Sequence, residues 1–380
     1  MNAAFFDTPV DRRHTASVKW DRYRETDILP MWVADMDFRS PPEVMAALHH
    51  RVDHGIFGYS HPPRKLVDAA LAHMAARYGW TVDPEWIVWL PGLVTGINVA
   101  CRAVGRRGDA VLSNTPAYPP FLTAPGNQDR TPVTVPLTEG QRWEMDFDRM
   151  EAAVTPGTRL FLLCHPHNPT GRSFTREELQ QVATFCARHD LVICSDEIHC
   201  DLVLDADRQH IPFAALGDGP ATRTITLMAP SKTYNIAGLG CSMAIIPDTA
   251  LRKRFKTAMT GIVPDVNLLA FTAATAAYRH GEPWRQALLA YLRGNRETVT
   301  QAIAAIPGLS MKPVEATYLA WIDTRDAGIE NPAAFFKKAG VGLNNGADFG
   351  GPGFVRLNFG CPRAALETGL HRMARAMETV

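Results

Sequence analysis

Thr224-Ile225-Thr226-Leu227-Met228-Ala229-Pro230-Ser231-Lys232-Thr233-Tyr234-Asn235-Ile236-Ala237-Gly238-Leu239 is the stretch on which the fold turns. A short β-branched and apolar run, Thr224–Met228, leads directly into a proline, a serine and a lysine. Such a run suits a strand covered on both faces, as in a mainly parallel sheet. The same signature recurs at Ile87–Leu90, Ala110–Leu112, Leu160–Cys164, Leu191–Cys194 and Ser242–Ile246. Amphipathic stretches lie between these runs. Thr175-Arg176-Glu177-Glu178 reads as a capping box, and the helix it opens places Leu179, Val182, Ala183 and Cys186 on one face. Ser40-Pro41-Pro42-Glu43 carries a similar start signal ahead of Val44–Leu48. Strand–helix alternation over roughly 85–250 predicts a three-layer α/β fold around a mainly parallel sheet.

Further along, the pattern changes. A long helical stretch is expected over Asn267–Ile306, stopped by Pro307-Gly308. Strands at Thr317–Ile322 and Phe354–Phe359 follow, with a helix near Pro332–Ala339 between them, which reads as a smaller α+β domain. The expected division is an N-terminal segment 1–45 packing on both larger units, a large domain 46–275 and a small C-terminal domain 276–380.

Composition narrows the function. Lys plus Arg number 39 and so do Asp plus Glu, and this balance argues against a nucleic-acid binder. No apolar run approaches the roughly eighteen residues of a membrane span, and Met1–Asp7 lacks the basic start of a signal peptide. The seven cysteines include no CxxC, and several lie inside apolar runs such as Leu191–Cys194. They read as reduced, small hydrophobes in a cytoplasmic protein, with no metal site expected.

Four strand ends carry chemistry. Lys232, among small and apolar neighbours after a buried strand, is poorly solvated; this lowers its pKa and makes it nucleophilic. On its own it reads more readily as a surface loop lysine, and its neighbours change that. Asp196, in Cys194-Ser195-Asp196-Glu197-Ile198-His199, stands at the end of another strand, where open α/β sheets bind ligands. A structural cap is the alternative there. Cys164-His165-Pro166-His167-Asn168-Pro169-Thr170-Gly171 ends a third strand in a rigid loop that can aim Asn168, and either X-Pro bond can be cis. Pro91-Gly92-Leu93-Val94-Thr95-Gly96 is a strand-to-helix junction whose backbone N–H groups suit a phosphate. A phosphate site, a nucleophilic lysine, a carboxylate for a pyridinium nitrogen and a polar partner for a phenolic oxygen together describe pyridoxal 5'-phosphate.

At this point the chain resembles the fold-type I pyridoxal-phosphate enzymes, the aspartate aminotransferase superfamily. Within it the chain resembles most the MalY/PatB group of cystathionine β-lyases, or C–S lyases. The specific segments are Asp11–Asp21 (Asp-Arg-Arg-His-Thr-Ala-Ser-Val-Lys-Trp-Asp) and Leu29–Phe38 (Leu-Pro-Met-Trp-Val-Ala-Asp-Met-Asp-Phe). Gly55-Ile56-Phe57-Gly58-Tyr59, Ser195–His199 and Pro230–Leu239 add to them. The resemblance implies that Lys232 bonds the cofactor and acts as general base, that Asp196 keeps the ring nitrogen protonated, and that Asn168 bonds the phenolic oxygen. It implies Tyr118 stacked on the ring, Arg356 on the substrate α-carboxylate, and Ala34 beside the substrate. Tyr59 would reach the cofactor phosphate of a neighbouring subunit, making a homodimer with shared sites. Leu93, Val94 and Ser231 would complete the phosphate cup. His199 stands where many aminotransferases have a tyrosine near the phenolic oxygen; its role is left open. Two departures weaken the cup: Ala229 replaces a serine, and Gly240 stands where aminotransferases commonly carry an arginine.

The implied reaction is β-elimination of L-cystathionine or a related cysteine S-conjugate to a thiol, pyruvate and ammonia. Transamination uses the same lysine, aspartate and arginine and is the alternative. A non-catalytic regulatory protein on the same scaffold is a third reading, disfavoured because all four site residues are retained and no helix-turn-helix or basic stretch is present.

Overall fold

The computed structural model describes residues 3–380. Seven strands form the central sheet: β1 Ile87–Leu90, β2 Ala110–Thr115, β3 Thr131–Pro136, β4 Thr158–Cys164, β5 Val192–Asp196, β6 Thr224–Met228 and β7 Ser242–Ile245. Their order is β1-β7-β6-β5-β4-β2-β3. Only β7 runs against its neighbours; β6 through β3 pair in parallel. Both faces are covered, as the unbroken apolar runs require. In β4, Leu160 and Leu162 face a cluster with Leu93, Ile97 and Ala100 of the helix Leu93–Ala103. Phe161 and Leu163 face Leu179, Val182 and Phe185 of the helix Arg176–Arg188, so the fold has three layers. That second helix starts on the expected capping box, with Thr175 and Glu178 bonding each other's backbone.

A second sheet follows: β8 Ser310–Met311, β9 Leu319–Asp323, β10 Asn344–Asn345 and β11 Phe354–Asn358, antiparallel in the order β8-β9-β11-β10. The first forty residues run across both sheets' surroundings. Leu29–Pro30 pairs in parallel with Val341–Gly342, and Phe6 is buried against Phe38, Trp284 and Tyr291. Among the described residues no helix is long and apolar enough to cross a membrane, and all seven cysteines are unpaired and buried.

Two expectations need correction, and one strand had no signal in the sequence. The stretch Asn267–Ile306 is two helices, Leu268–His280 and Glu282–Ala304. A Cβ on Gly281 would lie 2.5 Å from the ring of Tyr234, and Pro283 in the new first turn cannot continue the old ladder. Ser40 does not cap the helix Pro42–Asp53; its hydroxyl donates instead to the carbonyl of Asn235, 3.0 Å away. The edge strand β3 had no apolar signature, because its positions are mostly exposed and two are prolines, which only an edge tolerates.

Candidate active site

The parallel register brings Cys164, Asp196 and Leu227 side by side at one end of the sheet. Three loops leave from there: His165–Gly171, Glu197–Asp201 and Ala229–Gly240. The fourth comes from β1, where Leu90 leads through Gly92 into the helix Leu93–Ala103. Leu93 and Val94 open that helix, so their N–H groups have no helical carbonyl. No side chain caps this end, and a Cβ on Gly92 would meet nothing within 4 Å.

Lys232 Nζ donates to the carbonyl of Ala34 at 2.7 Å. Burial brings its pKa down to about 8, against the carboxylate of Asp35, while Arg356 adds to the lowering and Asp196 opposes it. Asp196 is buried, and one of its oxygens accepts the N–H of Ile198 at 3.1 Å. Burial raises its pKa to about 7; the Ile198 bond resists, neighbouring Glu197 reinforces and Lys232 resists.

Arg356 lies on β11 and reaches across to the central sheet. Its Nη1 donates to Asn168 Oδ1 at 2.9 Å, and its Nη2 to the carbonyl of Trp32 at 3.0 Å and to Asn344 Oδ1 at 2.7 Å. Nε is buried without a partner, and the guanidinium lies over the ring of Phe349 at 4.7 Å. No carboxylate bonds it, and burial pushes its pKa down to about 10. Both the His165–Pro166 and Asn168–Pro169 bonds are cis.

Tyr118 is half-buried, its phenol raised by burial and by Asp196 and lowered by Arg356. His199 is buried, its Nδ1 unpartnered, and burial with the charges of Lys232 and Arg356 holds it neutral, near 3. Ser231 is buried on the turn before Lys232. Tyr59 is the exception. It is fully exposed on the loop between the helices Pro42–Asp53 and Arg64–Tyr78 and does not join the site within one chain. Gly240 has φ +71°, and a Cβ there would sit 2.8 Å from the carbonyl of Pro91, which accounts for the missing arginine.

Three further residues belong here. Tyr318 donates to the carbonyl of Ala34 at 2.8 Å and stands edge-on to His199; Asn344 and the Trp32 carbonyl hold Arg356. Tyr318 lies inside an apolar run and Asn344 on a two-residue strand, so neither had a local signal. A buried acid with only a backbone donor, a buried guanidinium with only neutral acceptors and a desolvated amine converge beside an uncapped helix start. These donors fit pyridoxal phosphate and an amino-acid substrate: each charge lacks the counterpart that cofactor or substrate carries.

Sheet and site together define the class, a fold-type I enzyme of amino-acid chemistry. The chain belongs to the class I and II aminotransferase family, whose model matches residues 26–373, and within it to the PatB/MalY group. It is 41% identical to cystathionine β-lyase PatB of Bacillus subtilis, over 98% of this chain and 99% of that one. Against protein MalY of Escherichia coli the identity is 35% over 99% of each. Among solved structures it matches OvoB with a TM-score of 0.97 and 50% identity over 99% of each chain. It matches cystalysin of Treponema denticola, which contains pyridoxal 5'-phosphate, with a TM-score of 0.94 and 31% identity over 98% of each.

Proposed function

We propose that this chain is a pyridoxal-phosphate-dependent carbon–sulfur lyase. It eliminates the thiol from Cβ of L-cystathionine or a related cysteine S-conjugate, leaving pyruvate and ammonia. The observation that carries the amino-acid reading is Arg356, a buried cation with no carboxylate, held across from Lys232 by neutral acceptors. Full-length likeness to cystathionine β-lyases favours elimination over transamination.

Lys232 would hold the cofactor's aldehyde carbon, Asp196 its pyridine nitrogen, Asn168 its phenolic oxygen and Tyr118 its ring face. Leu93 and Val94 N–H groups and Ser231 would hold the phosphate. When bound, the cofactor supplies an electron sink for the pair left on Cα. The chain's own residues do the rest. Arg356 fixes the α-carboxylate through parallel hydrogen bonds, which aligns Cα with Lys232. With its pKa near 8, Lys232 is substantially unprotonated under mildly alkaline conditions, so Nζ can take the Cα proton. Asp196, as a carboxylate, would accept the hydrogen bond of the proton-bearing ring nitrogen and so keep that nitrogen protonated. His199 stays neutral and adds no competing charge beside Arg356.

Tyr59 is exposed together with Val52, Ile56 and Phe57 on one loop and the helix before it. In this reading that surface belongs to a homodimer, and Tyr59 reaches the cofactor phosphate of a second copy. Mixing Lys232→Ala and Tyr59→Ala chains should then restore activity in heterodimers, which contain one intact site. No recovery despite subunit exchange would place Tyr59 outside catalysis. The division into 1–45, 46–275 and 276–380 and a cytoplasmic location, supported by the unpaired cysteines, are part of the same reading.

The testing experiment is a product balance on L-cystathionine. Pyruvate, ammonia and homocysteine should appear in equal amounts without an added 2-oxo acid. Efficient amino-group exchange without thiol release would replace the lyase reading with an aminotransferase one.

A further inference from the structure

Thr317, just ahead of β9, is fully buried with φ +75°, a left-handed conformation that a β-branched residue adopts only under strain. Its N–H donates to the carbonyl of Leu202 at 2.9 Å, and its hydroxyl accepts the N–H of Leu319 at 3.1 Å. This strained turn delivers the next residue, Tyr318, also fully buried, to the carbonyl of Ala34. Burial and the carboxylate of Asp35, against Arg356, keep the phenol protonated, so it is the donor there. Its hydroxyl makes no other bond among the described residues.

The acceptor is shared. Ala34 O takes Tyr318 Oη at 2.8 Å and Lys232 Nζ at 2.7 Å, which fills both lone pairs of a carbonyl. The chain on either side of it is pinned. Arg356 Nη2 donates to Trp32 O at 3.0 Å, and Asn358 Nδ2 donates to Val33 O at 2.5 Å and to Asp35 O at 2.7 Å. Asn235 Nδ2 donates to Met36 O at 2.9 Å, and Arg12 grips both oxygens of the Asp35 carboxylate at 3.0 and 2.8 Å. The Ala34 carbonyl is therefore not free to turn toward one donor. Tyr318 and Lys232 compete for one fixed oxygen.

That competition bears on the proton Lys232 carries. In the lyase reading, on which this inference rests, Nζ takes the proton from Cα and the C–H electron pair stays on Cα for the cofactor's sink. The resulting ammonium donates to Ala34 O, and it must give up a proton again before the next turnover. A hydrogen bond to the charged form of an amine favours that form. An acceptor that bound the ammonium without competition would hold its proton longer.

We propose that Tyr318 is a positioning residue for Lys232: its hydroxyl occupies half of the Ala34 oxygen that receives the ammonium, so the ammonium is oriented there without being locked. The other charged or titratable groups facing Lys232 are Asp35 from the N-terminal segment, Asp196 and His199 from the end of β5 and the loop after it, and Arg356 from β11. Tyr318→Phe leaves all of them in place. It frees one lone pair of Ala34 O, strengthens the bond from the ammonium, and so keeps Lys232 protonated to higher pH.

Tyr318→Phe is read in two ways. The first is kcat of the holoenzyme against pH on a cysteine S-conjugate, whose acid limb reports the substrate complex, where Lys232 is the free base. The limb should move up by about half a pH unit or more, the worth of a net hydrogen bond. On the acid side kcat should then fall about threefold or more, while on the alkaline side it returns to the wild-type level and KM stays the same, because Arg356 is untouched. The second reading needs no turnover. In the full chain freed of cofactor, the pH dependence of acetic anhydride labelling at Lys232, followed by peptide mapping, should move up likewise. An unmoved transition in either reading, or a kcat lowered by one factor at every pH, overturns the proposal and leaves the hydroxyl a structural bond. Labelling of the amine does not depend on the reaction, so a lyase reading that fails because the cofactor sits on another lysine is told apart from failure here. If Tyr318→Phe does not fold, 3-fluorotyrosine in place of Tyr318 supplies a stronger donor and should move the labelling transition down; an unmoved transition overturns the proposal.

Discussion

Arg172 and Arg356 are equally hidden from water, at 1% and 3% exposure, yet their surroundings differ completely. Arg172 Nη1 bonds both oxygens of Glu315 at 2.9 and 2.7 Å, Nη2 bonds Glu178, and Nε bonds the carbonyl of Trp143 at 2.8 Å. Arg356 has an amide from Asn168, an amide from Asn344 and one carbonyl, with Nε left over. A buried ion pair that is fully bonded ties segments together; breaking it strands its partner. A buried cation with only neutral partners costs free energy until an anion arrives. The contrast teaches that burial alone does not mark function. The missing counter-ion does.

The largest effect should come from Lys232. Lys232→Ala removes the group that holds the cofactor and takes the proton, so turnover should fall below detection while the fold survives; Nζ makes only the bond to Ala34. Borohydride reduction of the wild type should leave its adduct on Lys232, and a peptide map showing another lysine would move the site. Next is the fold-holding arginine. Arg172→Met removes the bonds to Glu315, Glu178 and the Trp143 carbonyl, leaving buried Glu315 to Arg142, Arg208 and the Ser173 N–H, and should cost about 3 kcal/mol of unfolding free energy, measured by urea denaturation. Arg356→Met should cost little or nothing by the same measurement, because it removes an unpaired charge. Equal losses in both would erase the contrast.

Acid sharpens it further. His165, His167, His199 and His210 are held neutral by burial, their pKa values pushed down to about 3. Unfolding lets them take up protons below about 6.5, so their contribution is present at neutral pH and is lost as pH falls. Asp196 and Glu197, raised to about 7, act oppositely between about pH 4 and 7, holding protons in the fold. Four groups against two leave a net uptake on unfolding. Stability should therefore fall by on the order of 3 kcal/mol per pH unit from about 6.5 to 4.5. A flat profile from denaturation at stepped pH would show that these histidines are not held neutral.

Much of this was legible beforehand. The strands buried on both faces announced themselves as apolar runs, and Lys232, Asp196 and Asn168 stood out because each follows such a run. The structure brings those three, with Tyr118, His199 and Arg356, to one end of the sheet. What stayed hidden was of two kinds. The edge strand β3 and the break at Gly281 have no periodicity of their own, since one is set by its place in the sheet and the other by the ring of Tyr234. Pairings such as Arg172 with Glu315, 143 residues apart, leave no local pattern at all. Arg356 was named only through the family resemblance. Its lack of a carboxylate is a property of the folded chain.

The most direct measurement compares kcat/KM for a cysteine S-conjugate and for its α-carboxamide, in wild type and in Arg356→Met. If Arg356 awaits the substrate carboxylate, the wild type should prefer the acid by about 2 kcal/mol, roughly 30-fold, and the variant should lose that preference. A variant that still discriminates as the wild type does would show that another group reads the carboxylate, and the unpaired arginine would need a different explanation.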